Sequence, residues 1–221
     1  MLTADAREQM IEQQVRAWDV LDERVLDILR KVPRERFVPE PHRFLSYADA
    51  EVPLPHGQHM LRPSVVGRLL QALELKGNER VLEIGAGSGF ITACLRAAAA
   101  QVRSVEIHPE LADLARRNLS SFLGSSAGVR DVEVVNADAM QLDTGIRYDA
   151  IALTASLPVY DERFQKQLEI GGRLFVVVGE GPVMDARLVR RVGDDAWAVE
   201  SLFETVIDPL VNARRPPQFT F

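Results

Sequence analysis

A chain of 221 residues with a formal net charge of −6 lacks the basic excess that a phosphate-tracking surface needs, which argues against nucleic acid as the main partner. The lone Cys94 cannot close an internal disulfide, and no Cys/His cluster has metal-ligand spacing. No apolar run reads as a signal peptide or a membrane span, so the expectation is a metal-free cytoplasmic protein. At 47% hydrophobic the chain can bury one core, expected as a single domain with an N-terminal helical and substrate-loop extension (1–62), a core (63–211) and a tail (212–221).

Apolar residues at helical spacing predict an amphipathic helix over residues 5–18. Asp22 then caps a helix over 23–31 that buries Val25, Leu26, Ile28 and Leu29 and stops before Pro33. Residues 34–59 carry four prolines and Gly57, too many for core strands, and read as a substrate loop or lid over a sheet edge; a plain linker is the other reading. A helix restarts at Arg62-Pro63-Ser64 and runs to Leu75, followed by a turn at 76–78.

Val81-Leu82-Glu83-Ile84 reads as a strand buried in a parallel sheet, and Gly85-Ala86-Gly87-Ser88-Gly89 as a tight turn feeding a helix over residues 90–100. Cys94 falls on the apolar side of that helix and reads as packing. A strand over 102–106 ends in Glu106, beside Ile107. A helix follows from His108-Pro109, and 124–128 form an exposed loop. The strand 132–136 leads into Asp138 and Ala139, and 148–155 form a fourth strand whose last residues, Thr154 and Ala155, lie where the acids lie. A helix over 158–168, a turn at Gly171-Gly172, a fifth strand over 173–178 and a hairpin of 187–192 with 197–203 complete a mixed sheet of about seven strands. Trp18 and Trp197 read as core or edge packing, and the tail carries no assigned chemistry.

A strand, a glycine turn and a helix N-terminus in that order direct free N–H groups and a helix dipole at one point. A dinucleotide fold uses G-x-G-x-x-G; here the spacing is G-x-G-x-G with Glu83 before it, where a carboxylate would repel pyrophosphate and suit an ammonium group. The simplest such ligand is S-adenosyl-L-methionine, with S-adenosyl-L-homocysteine as its product. Glu106 is placed to accept from ribose hydroxyls and Asp138 from an adenine amine, although Asp138 reads equally well as a turn cap. His108 reads as a surface residue at a helix start.

Segments spread over residues 7–212 resemble the protein-L-isoaspartate O-methyltransferase family, a branch of the class I S-adenosylmethionine methyltransferases. They are Asp22-Glu23-Arg24-Val25-Leu26, Lys31-Val32-Pro33-Arg34-Glu35-Arg36-Phe37-Val38-Pro39, Pro53-Leu54, His56-Gly57-Gln58, Pro63, the glycine motif, Thr154-Ala155, Gly171-Gly172-Arg173-Leu174 and Pro209-Leu210-Val211. The resemblance implies an α/β, Rossmann-like class I fold. It also implies a methyl donor held by Glu83, Gly85, Ala86, Gly87, Ser88, Gly89, Glu106, Ile107, Asp138, Ala139 and Thr154. An isoaspartyl carboxylate in a damaged protein would be received near Pro55, His56, Gly57, Gln58 and Ala155.

The chain departs from that family at one place. Where the family continues Thr-Ile-Ser-x-Pro, this sequence has His59-Met60-Leu61-Arg62-Pro63, so both hydroxyls are gone. Transfer to a carboxylate needs no base, because the nucleophile is already ionised at neutral pH; loss of a positioning hydroxyl would cost about 2.7–4 kcal/mol by analogy with an oxyanion-hole donor. Arg62 or His59 either replaces the lost donors or marks another acceptor, and each also reads as an ordinary loop residue. Three readings stand: an isoaspartyl methyltransferase, a methyltransferase of the same fold with a protein or small-molecule acceptor, and a non-catalytic S-adenosylmethionine-binding protein.

Overall fold

The computed structural model describes residues 3–124, 131–142 and 145–216; most of the expected loop at 124–128 and the end of the tail lie outside these. Helix α1 (Thr3–Met10) continues through a π-helical turn (Ile11–Val15) and a 3₁₀ turn (Arg16–Trp18), so the expected first helix changes its hydrogen-bond period twice while still burying Met10, Ile11 and Val15. Helix α2 (Glu23–Lys31) starts where expected, with the Asp22 carboxylate accepting from Arg24 N at 2.9 Å. The proline-rich stretch forms 3₁₀ turns and a two-residue antiparallel ladder, β1 (Val52–Pro53) with β2 (His59–Met60), separate from the main sheet.

Helix α3 (Pro63–Leu73) leads to β3 (Arg80–Ile84), then α4 (Phe90–Ala98), β4 (Gln101–Glu106), α5 (Pro109–Leu123), β5 (Val132–Asn136), β6 (Tyr148–Leu157), α6 (Glu162–Gln165), β7 (Leu168–Val178), β8 (Met184–Gly193) and β9 (Ala196–Thr205). The seven-stranded sheet has the order β5-β4-β3-β6-β7-β8-β9; β5 to β7 in that order run parallel, and β8 is antiparallel to both its neighbours. The central strand β3 is flanked on both sides, with Val81 opposite Val102 and Ala150, which is why it is apolar almost throughout. Its residues alternate between two cores. Val81 joins the thick layer made with α1 to α5, while Leu82 and Ile84 join a thinner one.

That second face departs from expectation. The helix expected over 158–168 shrinks to the four residues of α6, capped by Asp161 accepting from Arg163 N at 3.0 Å, because the chain from Leu168 onward is drawn into β7. Gly171-Gly172 is accordingly a bulge inside β7 and no turn before it: the register jumps from Tyr148–Leu168 to Ala150–Arg173, and Gly171 takes φ 84°. The thin cover is completed by residues after β9, whose backbone docks on β6 through Asp208, Ser156 and Leu210.

The N-terminal helices sit on α3 through Gly67. A Cβ there would lie 2.7 Å from Val15 Cγ1 and 2.9 Å from Val20 Cγ2. Replacing a helical glycine by alanine normally gains up to about 1 kcal/mol, but stiff β-branched neighbours turn the added methyl into overpacking of about 1–3 kcal/mol. Gly67→Ala is therefore expected to lower the urea midpoint, corresponding to a net loss of about 1 kcal/mol; a raised midpoint would show that the two layers can part.

Candidate active site

The carboxyl ends of β3, β4, β5 and β6 meet at the glycine turn. Gly85, Gly87 and Gly89 take φ of 98°, 53° and 85°, conformations that side chains resist. Thr154, at the end of β6, donates from Oγ1 to the carbonyls of Ile84 (2.9 Å) and Gly85 (2.8 Å), so closely that a Cβ on Gly85 would stand 2.4 Å from that oxygen. From β4, Glu106 takes the other side: its Oε2 accepts from Gly87 N and its Oε1 from His108 N, both at 3.0 Å. Asn118 of α5 donates to the Ser88 carbonyl at 2.9 Å. The turn is thus fixed from two strands and a helix, and Gly89 opens α4 with its dipole aimed at the turn.

Besides a hollow beneath Arg34 that Phe90 and Ile91 also line, two clefts flank this turn. One is walled by Ile84, Val105, Ile107, Ala137, Ala139, Leu210 and Val211, with the carboxylates of Glu106 and Asp138 at its edge and Ala155 leaving room. The other is bounded by Leu54, Gln58, His59, Leu61, Gly85, Gly87 and Thr154, with Glu51 and Asp208 at its rim. A wider cleft of about 290 Å³, lined by residues such as Arg80, Gln101 and Glu133, opens at the amino-terminal ends of the strands, the end that open α/β sheets do not use for ligands.

Several expected site residues lie elsewhere. Glu83 is not at the mouth of the strand but one residue inside it, fully buried on the helix side. Its Oε2 accepts from Thr92 Oγ1 (2.5 Å) and Ser104 Oγ (2.6 Å), and Oε1 has no partner among the described residues. Burial pushes its acid up to about 8, against the two hydroxyls that hold the charged form. The strand's alternation, which places Glu83 beside Val81 in the helical layer, explains the miss. Arg62 also turns away from the clefts, its guanidinium 5.8 Å over the Trp18 ring and 3.4 Å from Thr205 Oγ1. Pro55 and Gly57 are exposed, and His56 (φ 63°) stacks on His108 with centroids 4.3 Å apart and pairs with Glu110 at 3.2 Å. Leu61, by contrast, is buried in the core and also borders the second cleft. Asp138 does cap a turn, accepting from Met140 N at 2.8 Å, and Asn212 from the supposedly inert tail reaches its Oδ2 at 3.0 Å.

Sequence reasoning gave no site role to Arg34, Glu51 or Asp208. Arg34, 1% exposed, donates from Nη2 to the Leu61 carbonyl at 2.9 Å, stands 5.1 Å over Phe90 and has its pKa drawn down to about 10 by burial; Nε and Nη1 have no partner among the described residues. It pins the loop that carries His59. The Asp208 carboxylate accepts at Oδ2 from His59 Nδ1 at 2.8 Å, and the acid of Glu51 beside it is raised by burial first and by Asp208 second. Two signals lay in the sequence: Arg34 stands inside the family segment Lys31 to Pro39, and Asp208 adjoins Pro209-Leu210-Val211.

The lining of the first cleft has the chemistry that a nucleoside would need. The turn that would cradle it is closed to any Cβ at Gly85, and a Cβ at Gly87 would meet Leu54 at 3.2 Å. Apolar walls suit a base, and the acid edges offer acceptors for hydroxyls and an amine. Sheet order, glycine turn and strand-end acids together define a class I methyltransferase fold. The family model described as Protein-L-isoaspartate(D-aspartate) O-methyltransferase matches residues 5–215. A protein-L-isoaspartate O-methyltransferase of Methanoculleus marisnigri is 42% identical over 189 residues, 85% of this chain and 84% of the relative. Another, of Rhodopseudomonas palustris, is 40% identical over 206 residues, 92% of each. A Plasmodium falciparum chain assigned to the same activity and solved with S-adenosyl-L-homocysteine superposes with a TM-score of 0.80 at 18% identity, covering 92% of this chain and 97% of that one. The chain belongs to the protein-L-isoaspartate(D-aspartate) O-methyltransferase family.

Because the folded acid at Glu83 lies near 8 and an ordinary glutamate at 4.5, its contribution to stability is full below about 4.5 and is lost as pH rises to about 8. Glu83→Gln is expected to flatten that part of the stability profile measured by chemical denaturation; an unchanged slope would mean that Glu83 is ionised in the native state.

Proposed function

We propose that this chain is an S-adenosylmethionine-dependent O-methyltransferase that esterifies the carboxylate of isoaspartyl residues in damaged proteins. The observation that carries the reading is the glycine turn held between Thr154 and Glu106 beside an apolar cleft, in a chain at least 35% identical to relatives of that name over most of its length.

In this reading Glu106 and Asp138 would hold the donor's ribose and adenine. Gly85, Ala86, Gly87, Ser88 and Gly89 would approach its amino-acid end, with Ile107, Ala139 and Thr154 as walls. When bound, S-adenosylmethionine supplies a methyl group on a sulfonium: the carboxylate oxygen–methyl bond forms as the sulfur–carbon bond breaks, a negative and a positive charge cancel, and no proton moves. The protein's part is alignment and exclusion of water. Thr154 and Ala155 present a small floor, Leu54 and Leu61 keep the second cleft dry, and Gln58 stands at the boundary of both clefts. Residues 1–62 serve as the extension that carries the acceptor loop, 63–211 as the core and 212–221 as a tail from which Asn212 braces Asp138. A repair role in the cytoplasm is part of this proposal; among the described residues no helix is long and apolar enough to cross a membrane.

Purified protein with labelled S-adenosylmethionine is expected to label an isoaspartyl peptide and to leave its aspartyl counterpart unlabelled. Equal labelling of both, or of neither, would refute the acceptor assignment.

A further inference from the structure

The second cleft is rimmed by carboxylates. Glu51, Asp208 and Glu106 all border it, an unwelcoming setting for an incoming carboxylate, and at positions 59 and 61, where the family resemblance leads one to expect hydroxyls, the chain has His and Leu. Of the cations nearby, Arg62 is turned toward Trp18, and Arg34 is committed to the Leu61 carbonyl and the Phe90 ring. His59 remains. It borders both the cleft and the neighbouring hollow beneath Arg34, a third of its side chain is exposed, and Nδ1 lies 2.8 Å from Asp208 Oδ2. Nε2 makes no hydrogen bond to any described residue.

Resting on the isoaspartyl reading, we propose that His59, oriented by Asp208, is the residue that receives the acceptor carboxylate and sets specificity for it, taking the place of the missing hydroxyls. With Asp208 holding a proton on Nδ1, a neutral ring presents a lone pair at Nε2 and repels a carboxylate oxygen. The charged ring presents N–H there, a charge-assisted donor. Asp208 and Glu51 then counterbalance the imidazolium, and the buried Arg34 below adds to the positive side. The acceptor carboxylate is therefore bound only by the protonated form.

The test is calorimetric titration of an isoaspartyl peptide into protein saturated with S-adenosyl-L-homocysteine, from about pH 5.5 to about pH 8.5, alongside methyl transfer over the same range. Wild-type affinity is expected to fall about tenfold or more from the low end of this range to the high end. His59→Gln and Asp208→Asn are expected to bind the peptide at least about tenfold more weakly at the low end with a flat pH profile, while affinity for S-adenosyl-L-homocysteine stays within about twofold. A His59→Gln protein with wild-type affinity and slope overturns the proposal. So does wild-type affinity that rises with pH, the sign of a ring acting as a base toward a protic acceptor, and that result needs no variant. Wild-type protein that binds S-adenosyl-L-homocysteine but takes no isoaspartyl peptide overturns both this proposal and the acceptor reading beneath it, whereas failure in the variants alone leaves that reading standing.

Discussion

The structure turns on a steric constraint: nothing larger than hydrogen fits at Gly85. Thr154 Oγ1 occupies the space a side chain would need, because it is hydrogen-bonded to the two carbonyls on either side of that position. The constraint couples the ends of β3 and β6 and opens the backbone of the turn toward the first cleft. Glu106 completes it from β4 by accepting from Gly87 N. Three strand ends are thereby locked to one loop, and both clefts inherit their shape from it.

Electrostatics divides the four acids gathered at this end of the sheet. Glu106 and Asp138 remain at the cleft edge, Glu106 accepting from the Gly87 and His108 N–H groups and Asp138 from the Met140 N–H and the side-chain amides of Gln141 and Asn212, with lone pairs left for a ligand. Glu83 is sealed behind the sheet with two hydroxyls for company, and burial favours its neutral form. Asp208 comes from the far end of the chain and meets His59 across 149 residues of sequence. The second cleft is thus assembled by the proline-rich loop and the segment after β9, two regions without periodicity, held in place by Arg34 and by backbone bonds to Ser156.

This division explains what was legible beforehand. The central strand, the glycine turn, the strand-end positions of Glu106 and Asp138, the Asp22 cap and the final hairpin all announce themselves by local pattern: apolar runs, positive-φ glycines, an acid before a helix, a turn between alternating segments. Glu83 was misplaced because an acid inside an apolar run looks like a mouth residue, when a period of two puts it beneath α4 with Thr92 and Ser104. Helix 158–168 was overextended because Leu168 is apolar in either state, and only pairing with Tyr148 decides for the strand. Arg34, Asp208 and Asn212 matter through contacts far apart in sequence, which no spacing rule reaches.

The claim beneath the whole account is that the Gly85 turn, and no other part of the surface, holds the adenosyl ligand. Calorimetry of S-adenosyl-L-homocysteine with wild-type and Gly85→Ala protein, each first checked for retained fold by circular dichroism, tests it most directly. The account requires saturable heat from the wild type and affinity at least about tenfold weaker in the variant. Equal affinity in the two, or heat from NAD with none from S-adenosyl-L-homocysteine, would contradict it.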